Sequence, residues 1–100
     1  MAQLTVIYWR DIPAQVIVRA GRASAKRELP TRFQEAIDRA AMRGGARETD
    51  AYLAAWRRAE PVACGDDLEA AAALAAAELE AAYDDARLAR LVADGGHAAV

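Results

Sequence analysis

Cysteine, histidine and lysine each occur once in the 100 residues, and proline three times. One cysteine excludes an intramolecular disulfide and a multi-cysteine zinc site, so a reduced, cytoplasmic setting is expected. The only histidine, His97, lies near the C-terminus, which leaves no Ser–His–Asp set and no convincing partner for Cys64. There is no glycine-rich phosphate loop. No apolar run approaches ~18 residues, so no membrane span is expected. Met1-Ala2-Gln3-Leu4 lacks a basic region followed by a long apolar one, so no signal peptide is expected. Large apolar side chains are also scarce. Alanine supplies 28 of the 55 apolar residues, leaving 27 larger ones for a core. A chain this short buries a modest fraction of its surface. Twelve arginines against one lysine suit a GC-rich genome, so no single arginine is read as chosen over lysine.

Charge is segregated. Residues 1–59 carry 11 basic and 6 acidic side chains, and residues 60–100 carry 2 and 9, giving +5 and −7. Such a split fits a tail that neutralises its own body, a body that binds an anion, or two faces for two partners.

The pattern predicts an α+β fold in one domain. A small antiparallel sheet of about three strands occupies residues 3–29, and three helices, about 31–43, 50–59 and 66–93, cover one face. Leu4 to Trp9 is apolar at both alternating positions, as in a central or doubly covered strand. Pro13 should end it. A second strand is read at 15–20 and an edge strand at 25–29. Thr31 and Gln34 fit a capping box before an apolar face of Phe33, Ile37, Ala40 and Ala41, stopped by Gly44-Gly45. Leu53, Trp56 and Ala59 anchor the second helix. Residues 1–60 form the body and 61–65 a linker. Residues 66–100 form an acidic, alanine-rich helix with a frayed tail from His97. Its main stripe runs through Leu68, Ala72, Ala75, Leu79, Ala82, Tyr83 and Ala86. Leu88, Leu91 and Val92 fall off that stripe. Either the helix bends near Asp84-Asp85, or these three form an exposed patch that a homodimer or hetero-complex buries.

Tyr8, Trp9, Arg10, Asp11 and Gln15 gather two aromatics, an ion pair and an amide around one strand end. As a ligand or partner surface, Arg10 would hold an oxyanion, oriented by Asp11, with Trp9 stacking. As a structural turn, Asp11 would bond Arg10 or amides near residues 13–15 and Trp9 would be core. Arg19, Arg22, Lys26 and Arg27 surround the next turn. They are either a solvated edge or, with the aromatics, a basic surface for nucleic acid. No RNA-binding octamer, GXXG loop or zinc-finger spacing accompanies them, so nucleic acid is not the expected partner. Arg57 and Arg58 would anchor the acidic helix through Glu69, Glu78 or Glu80. Asp66/Asp67 and Asp84/Asp85 read as helix caps rather than metal ligands. No catalytic residue, metal or cofactor is assigned.

The run Leu4-Thr-Val-Ile-Tyr-Trp-Arg-Asp-Ile-Pro-Ala-Gln-Val16 resembles the opening of a small bacterial family labelled "virulence factor". Ala25-Lys-Arg-Glu-Leu-Pro30, Arg32-Phe-Gln-Glu-Ala-Ile-Asp-Arg39 and Asp50-Ala-Tyr-Leu-Ala-Ala-Trp-Arg57 are similar to it as well. The likeness covers about residues 3–58 and extends more weakly to Cys64-Gly-Asp-Asp-Leu68. The domain also resembles a module of conserved virulence factor C proteins, which carry an Nfu-like scaffold domain and helical repeats. The Nfu-like module and its cysteine pair are missing here, so iron–sulfur scaffolding does not carry over. Stand-alone relatives are associated with genes for corrinoid- and folate-dependent methyl transfer. The resemblance therefore implies a non-catalytic accessory or protein-interaction module for one-carbon metabolism. The alternative is a small nucleic-acid- or anion-binding protein that uses the basic sheet edge.

Overall fold

Strand β1 (Gln3–Trp9) has antiparallel strand partners on both edges and so is central in the sheet. The computed structural model describes residues 2–43 and 49–98. On one side β1 pairs antiparallel with β2 (Ile12–Ala20), which pairs with β3 (Ala23–Glu28). On the other side lie two short strands, β4 (Trp56–Arg58) and β5 (Val62–Ala63). Four helices complete the α+β fold: α1 (Thr31–Arg43), α2 (Thr49–Ala54), α3 (Leu68–Ala82) and α4 (Asp85–Ala93).

Two apolar clusters hold these layers. Leu4 and Val6 sit opposite Val18 and Val16, and α3 covers them with Ala72, Ala71 and Ala75. Alanine lets the helix approach closely but contributes little buried area per residue. The second cluster surrounds the β1–β2 hairpin end. There Trp9 and Ile12 are fully buried against Phe33 and Ile37 of α1 and Leu88 and Leu91 of α4. Ile7 belongs to neither cluster. It shares the other sheet face with Thr5 and Ile17.

Several expectations are corrected. Pro13 does not end a strand. It lies within β2, opposite Tyr8 and beside a register shift, where a missing N–H costs no regular ladder bond. The second helix stops at Ala54 because the free edge of β1 recruits Trp56–Arg58 as β4. Tertiary pairing overrides a marginal six-residue helix. Leu53, expected as an anchor, is 61% exposed. Residues 61–65 are not a free linker, since Val62 and Ala63 pair with Leu4 and Gln3. Gln34 makes no capping box and instead donates to Asp38 Oδ1 at 3.0 Å. The Gly44-Gly45 stop lies outside the described residues.

The long helix is two helices. Asp67 caps α3 by accepting from Ala70 N, and Asp84 caps α4 by accepting from Arg87 N at 2.8 Å. The break turns α4 back onto α1. Leu88 and Leu91 are therefore 4% and 5% exposed, and Val92 is half-buried beside them. The apolar patch expected of these three is not formed, and a homodimer through it loses its basis. The tail is also tied to the hairpin turn, since the Ala98 N–H donates to Asp11 Oδ2 at 2.6 Å.

Gly95 and Gly96 close α4 with positive φ values of 69° and 96°. A Cβ on Gly96 would lie 2.9 Å from the Trp9 ring. Gly96→Ala should therefore destabilise the protein by about 2 kcal/mol, combining backbone strain with a clash in the core. Chemical denaturation checks this, and an unchanged midpoint would contradict the packing described.

Candidate functional site

The Tyr8–Gln15 run divides between two jobs. Trp9 is core: its ring lies 5.8 Å from Tyr52, and its indole N–H donates to Tyr52 O at 2.9 Å. Arg10 adopts φ 53°, the left-handed conformation that costs a non-glycine residue about 1 kcal/mol. Three contacts hold it there. Its N–H donates to Ala55 O, its guanidinium donates to Gly95 O, and that group lies 4.8 Å from the Trp9 ring centroid. Asp11 bonds neither Arg10 nor residues 13–15. It takes Arg57 Nη2 on one oxygen at 3.1 Å and Ala98 N–H on the other, while its own N–H donates to Gly96 O. Arg57 Nε also donates to Arg10 O at 2.8 Å. Arg57 thus serves the turn rather than the acidic helix. Trp9, Arg10 and Asp11 form a clasp that ties β4 and the C-terminal tail to the hairpin. Only Tyr8 and Asp11 of this run border a small pocket, opposite Tyr83 and Arg87. Gln15 lies elsewhere, beside Lys26, Glu28 and Trp56.

The basic cluster is also divided. Strand register places Arg19 and Lys26 on the sheet face of Ile7 and Ile17, and Arg58, opposite Ile7, joins them. Arg27 pairs with Val16 and so takes the other parity, while Arg22 sits in the β2–β3 turn. Among the described residues, no three His, Cys, Asp or Glu side chains group as a metal site. Among the described residues, no helix is long and apolar enough to cross a membrane.

A third surface was not foreseen. Between β5 and α3 runs an apolar groove of about 510 Å³, lined by Leu4, Val62, Cys64, Ala71, Leu74 and Ala75, with Asp67 and Glu78 also lining it. Val62 is 54% and Leu74 63% exposed. The signal in the sequence was Leu74, the one large side chain of the poly-alanine stretch that lies off its apolar stripe. Val62 was hidden in the presumed linker.

Fold and surfaces together define a small α+β domain with three basic side chains on one sheet face and an apolar groove. The chain belongs to the family described as "Virulence factor", whose family model matches residues 7–92. No curated protein and no solved structure matches it significantly.

The Ala98 N–H, then Arg57 and the nearby His97, hold the Asp11 carboxyl below its ordinary value of 3.8. A depressed carboxyl stabilises the fold above its unfolded pKa, and that contribution disappears as pH falls through the folded value. Asp11→Asn should therefore melt lower than the parent at pH 7. The gap should narrow as pH drops below about 3.8, the ordinary aspartate range. Thermal melts across pH check this, and a gap independent of pH would contradict the charged clasp.

Proposed function

We propose that the chain is a non-catalytic accessory module that docks on a partner protein through the β5–α3 groove. Its partner is an enzyme of corrinoid- or folate-dependent one-carbon metabolism in the cytoplasm. The exposure of Val62 and Leu74 side by side along an apolar groove carries the docking part of this reading. The family resemblance supports the metabolic setting. The occupant is an extended apolar segment flanked by lysine or arginine. Asp67 and Glu78 line the groove, and residues 60–100 carry a net −7, so a basic flank meets complementary charge.

Fluorescence anisotropy with apolar peptides, with and without flanking lysines, tests the surface. Leu74→Asp should weaken binding by about tenfold or more, equivalent to ~1.4 kcal/mol. It should leave the melt nearly unchanged, because Leu74 is mostly exposed. Leu53→Asp, on α2, should bind like the parent. Equal losses in both variants would remove the groove from the reading. Methyl-transfer enzymes should co-purify with the parent and not with Leu74→Asp.

The grouping of Arg19, Lys26 and Arg58 on one sheet face favours a second reading, a nucleic-acid- or anion-binding protein. The acidic C-terminal region opposes that field. Gel shifts with single- and double-stranded oligonucleotides at about 0.15 M salt should show weak or no binding. Tight, salt-sensitive shifts would make this second reading the better one.

A further inference from the structure

We infer that the pocket between Tyr8 and Tyr83 is an oxyanion site, built to take the phosphate group of a small molecule between the guanidiniums of Arg57 and Arg87. The pocket has a volume of about 250 Å³ and shares no lining residue with the β5–α3 groove, so it stands apart from the docking surface. It forms where four segments meet: Tyr8 from β1, Arg57 from β4, Tyr83 from the α3–α4 break and Arg87 from α4.

Both arginines are held in place before any ligand arrives. Arg57 lies over the Tyr8 ring at 4.5 Å and Arg87 over the Tyr83 ring at 3.9 Å. Arg57 is fixed further by Arg10 O and Asp11, and Arg87 Nη1 by Ala82 O at 3.0 Å. Among the described residues, Arg57 Nη1 and Arg87 Nε and Nη2 have no hydrogen-bond acceptor. Donors on a pre-ordered planar fork are what an oxyanion needs, since little side-chain entropy remains to be lost.

Tyr8 adds a neutral donor. Burial first, and the neighbouring Tyr83 second, raise the Tyr8 pKa above its ordinary 10.0, so Tyr8 keeps its proton near neutral pH. Asp11 also borders the pocket, but its two oxygens are already occupied by Arg57 and the Ala98 N–H. A second hollow of about 210 Å³ continues the pocket through Arg87, Leu91 and Ala98, and brings in Arg90, Asp94 and His97. Three arginines thus face two aspartates over the joined space. The paired guanidinium forks, more than the net charge, suit the several oxygens of a phosphate, and the second hollow receives the rest of the ligand.

NMR titration of the full chain with inorganic phosphate, at constant ionic strength near pH 7.5, tests this. Saturable shifts should centre on the Tyr8 and Tyr83 rings and the Arg87 side chain. Arg87→Gln should lower the affinity by about tenfold or more. Tyr83→Phe, which keeps the aromatic platform, should lower it less. Arg19→Gln, exposed on β2 and outside the pocket, should bind like the parent. Shifts that fail to saturate, or an Arg87→Gln protein that binds like the parent, would overturn the site. Equally tight binding of acetate would overturn its assignment to phosphate. Loss of peptide binding in Leu74→Asp bears only on the groove, so the two readings fail separately.

Discussion

The two-residue turn at Arg10-Asp11 is where most of the chain is joined. A left-handed arginine is an unfavourable way to close a hairpin, and a free peptide would avoid it. Here both N–H groups and both side chains of the turn find partners from far along the sequence. Arg10 N meets Ala55 O, Asp11 N meets Gly96 O, and the two side chains reach Gly95 and Ala98. Net hydrogen bonds contribute about 1 kcal/mol each, so four outweigh the strain of one positive φ. β4, the α4 terminus and the hairpin are thereby tied to one point. Trp9, directly before the turn, fills the space beneath it.

Charge segregation has a physical resolution that differs from simple ion pairing. The basic body does meet the acidic C-terminal region, yet few contacts run to carboxylates. Arg32 donates to Tyr83 O and Glu80 O at the end of α3, and Arg43 donates to Ala93 O at the end of α4. These carbonyls lack intrahelical partners and carry the negative end of the helix dipole. The carboxylate contact of Arg32, to Asp85, is longer at 3.5 Å and exposed on the acidic side. Exposed pairs of that kind contribute little. Arg32 and Arg43 therefore serve as C-terminal caps for α3 and α4.

The α+β class, the first two strands, α1 and the cap at Asp67 were legible in the sequence, because each rests on local pattern. Alternation marks a strand, and an aspartate before an apolar run marks a helix start. What was not legible depends on distant partners. Trp56-Arg57-Arg58 reads as helix in isolation and becomes a strand only because β1 has a free edge. Val62-Ala63 is too short to carry a pattern. Of the run Tyr8 to Gln15, the turn itself was legible, but the partners of Asp11 lie 46 and 87 residues away and no spacing rule reaches them. The pocket needs Tyr83 and Arg87 turned toward Tyr8, which a straight helix would not do.

That break after Ala82 decides more than local geometry, and two forces favour it. The Asp84 cap is worth about 1 kcal/mol. Burying two leucines is worth roughly 2 kcal/mol each, so Leu88 and Leu91 dominate. A continuous helix would keep the backbone bonds that the break gives up, but would leave both leucines in water. The break also exposes carbonyls at the end of α3, and Arg32 and Arg87 take them. Arg87 is thereby drawn over Tyr83, facing Arg57 and Tyr8. The pocket is thus a consequence of core packing: the same turn that hides the leucines aligns its two guanidiniums. With so few large apolar residues in the chain, a fold that left two leucines exposed would forgo a sizeable share of its core. The geometry of the pocket is therefore held by stability as well as by any ligand it binds.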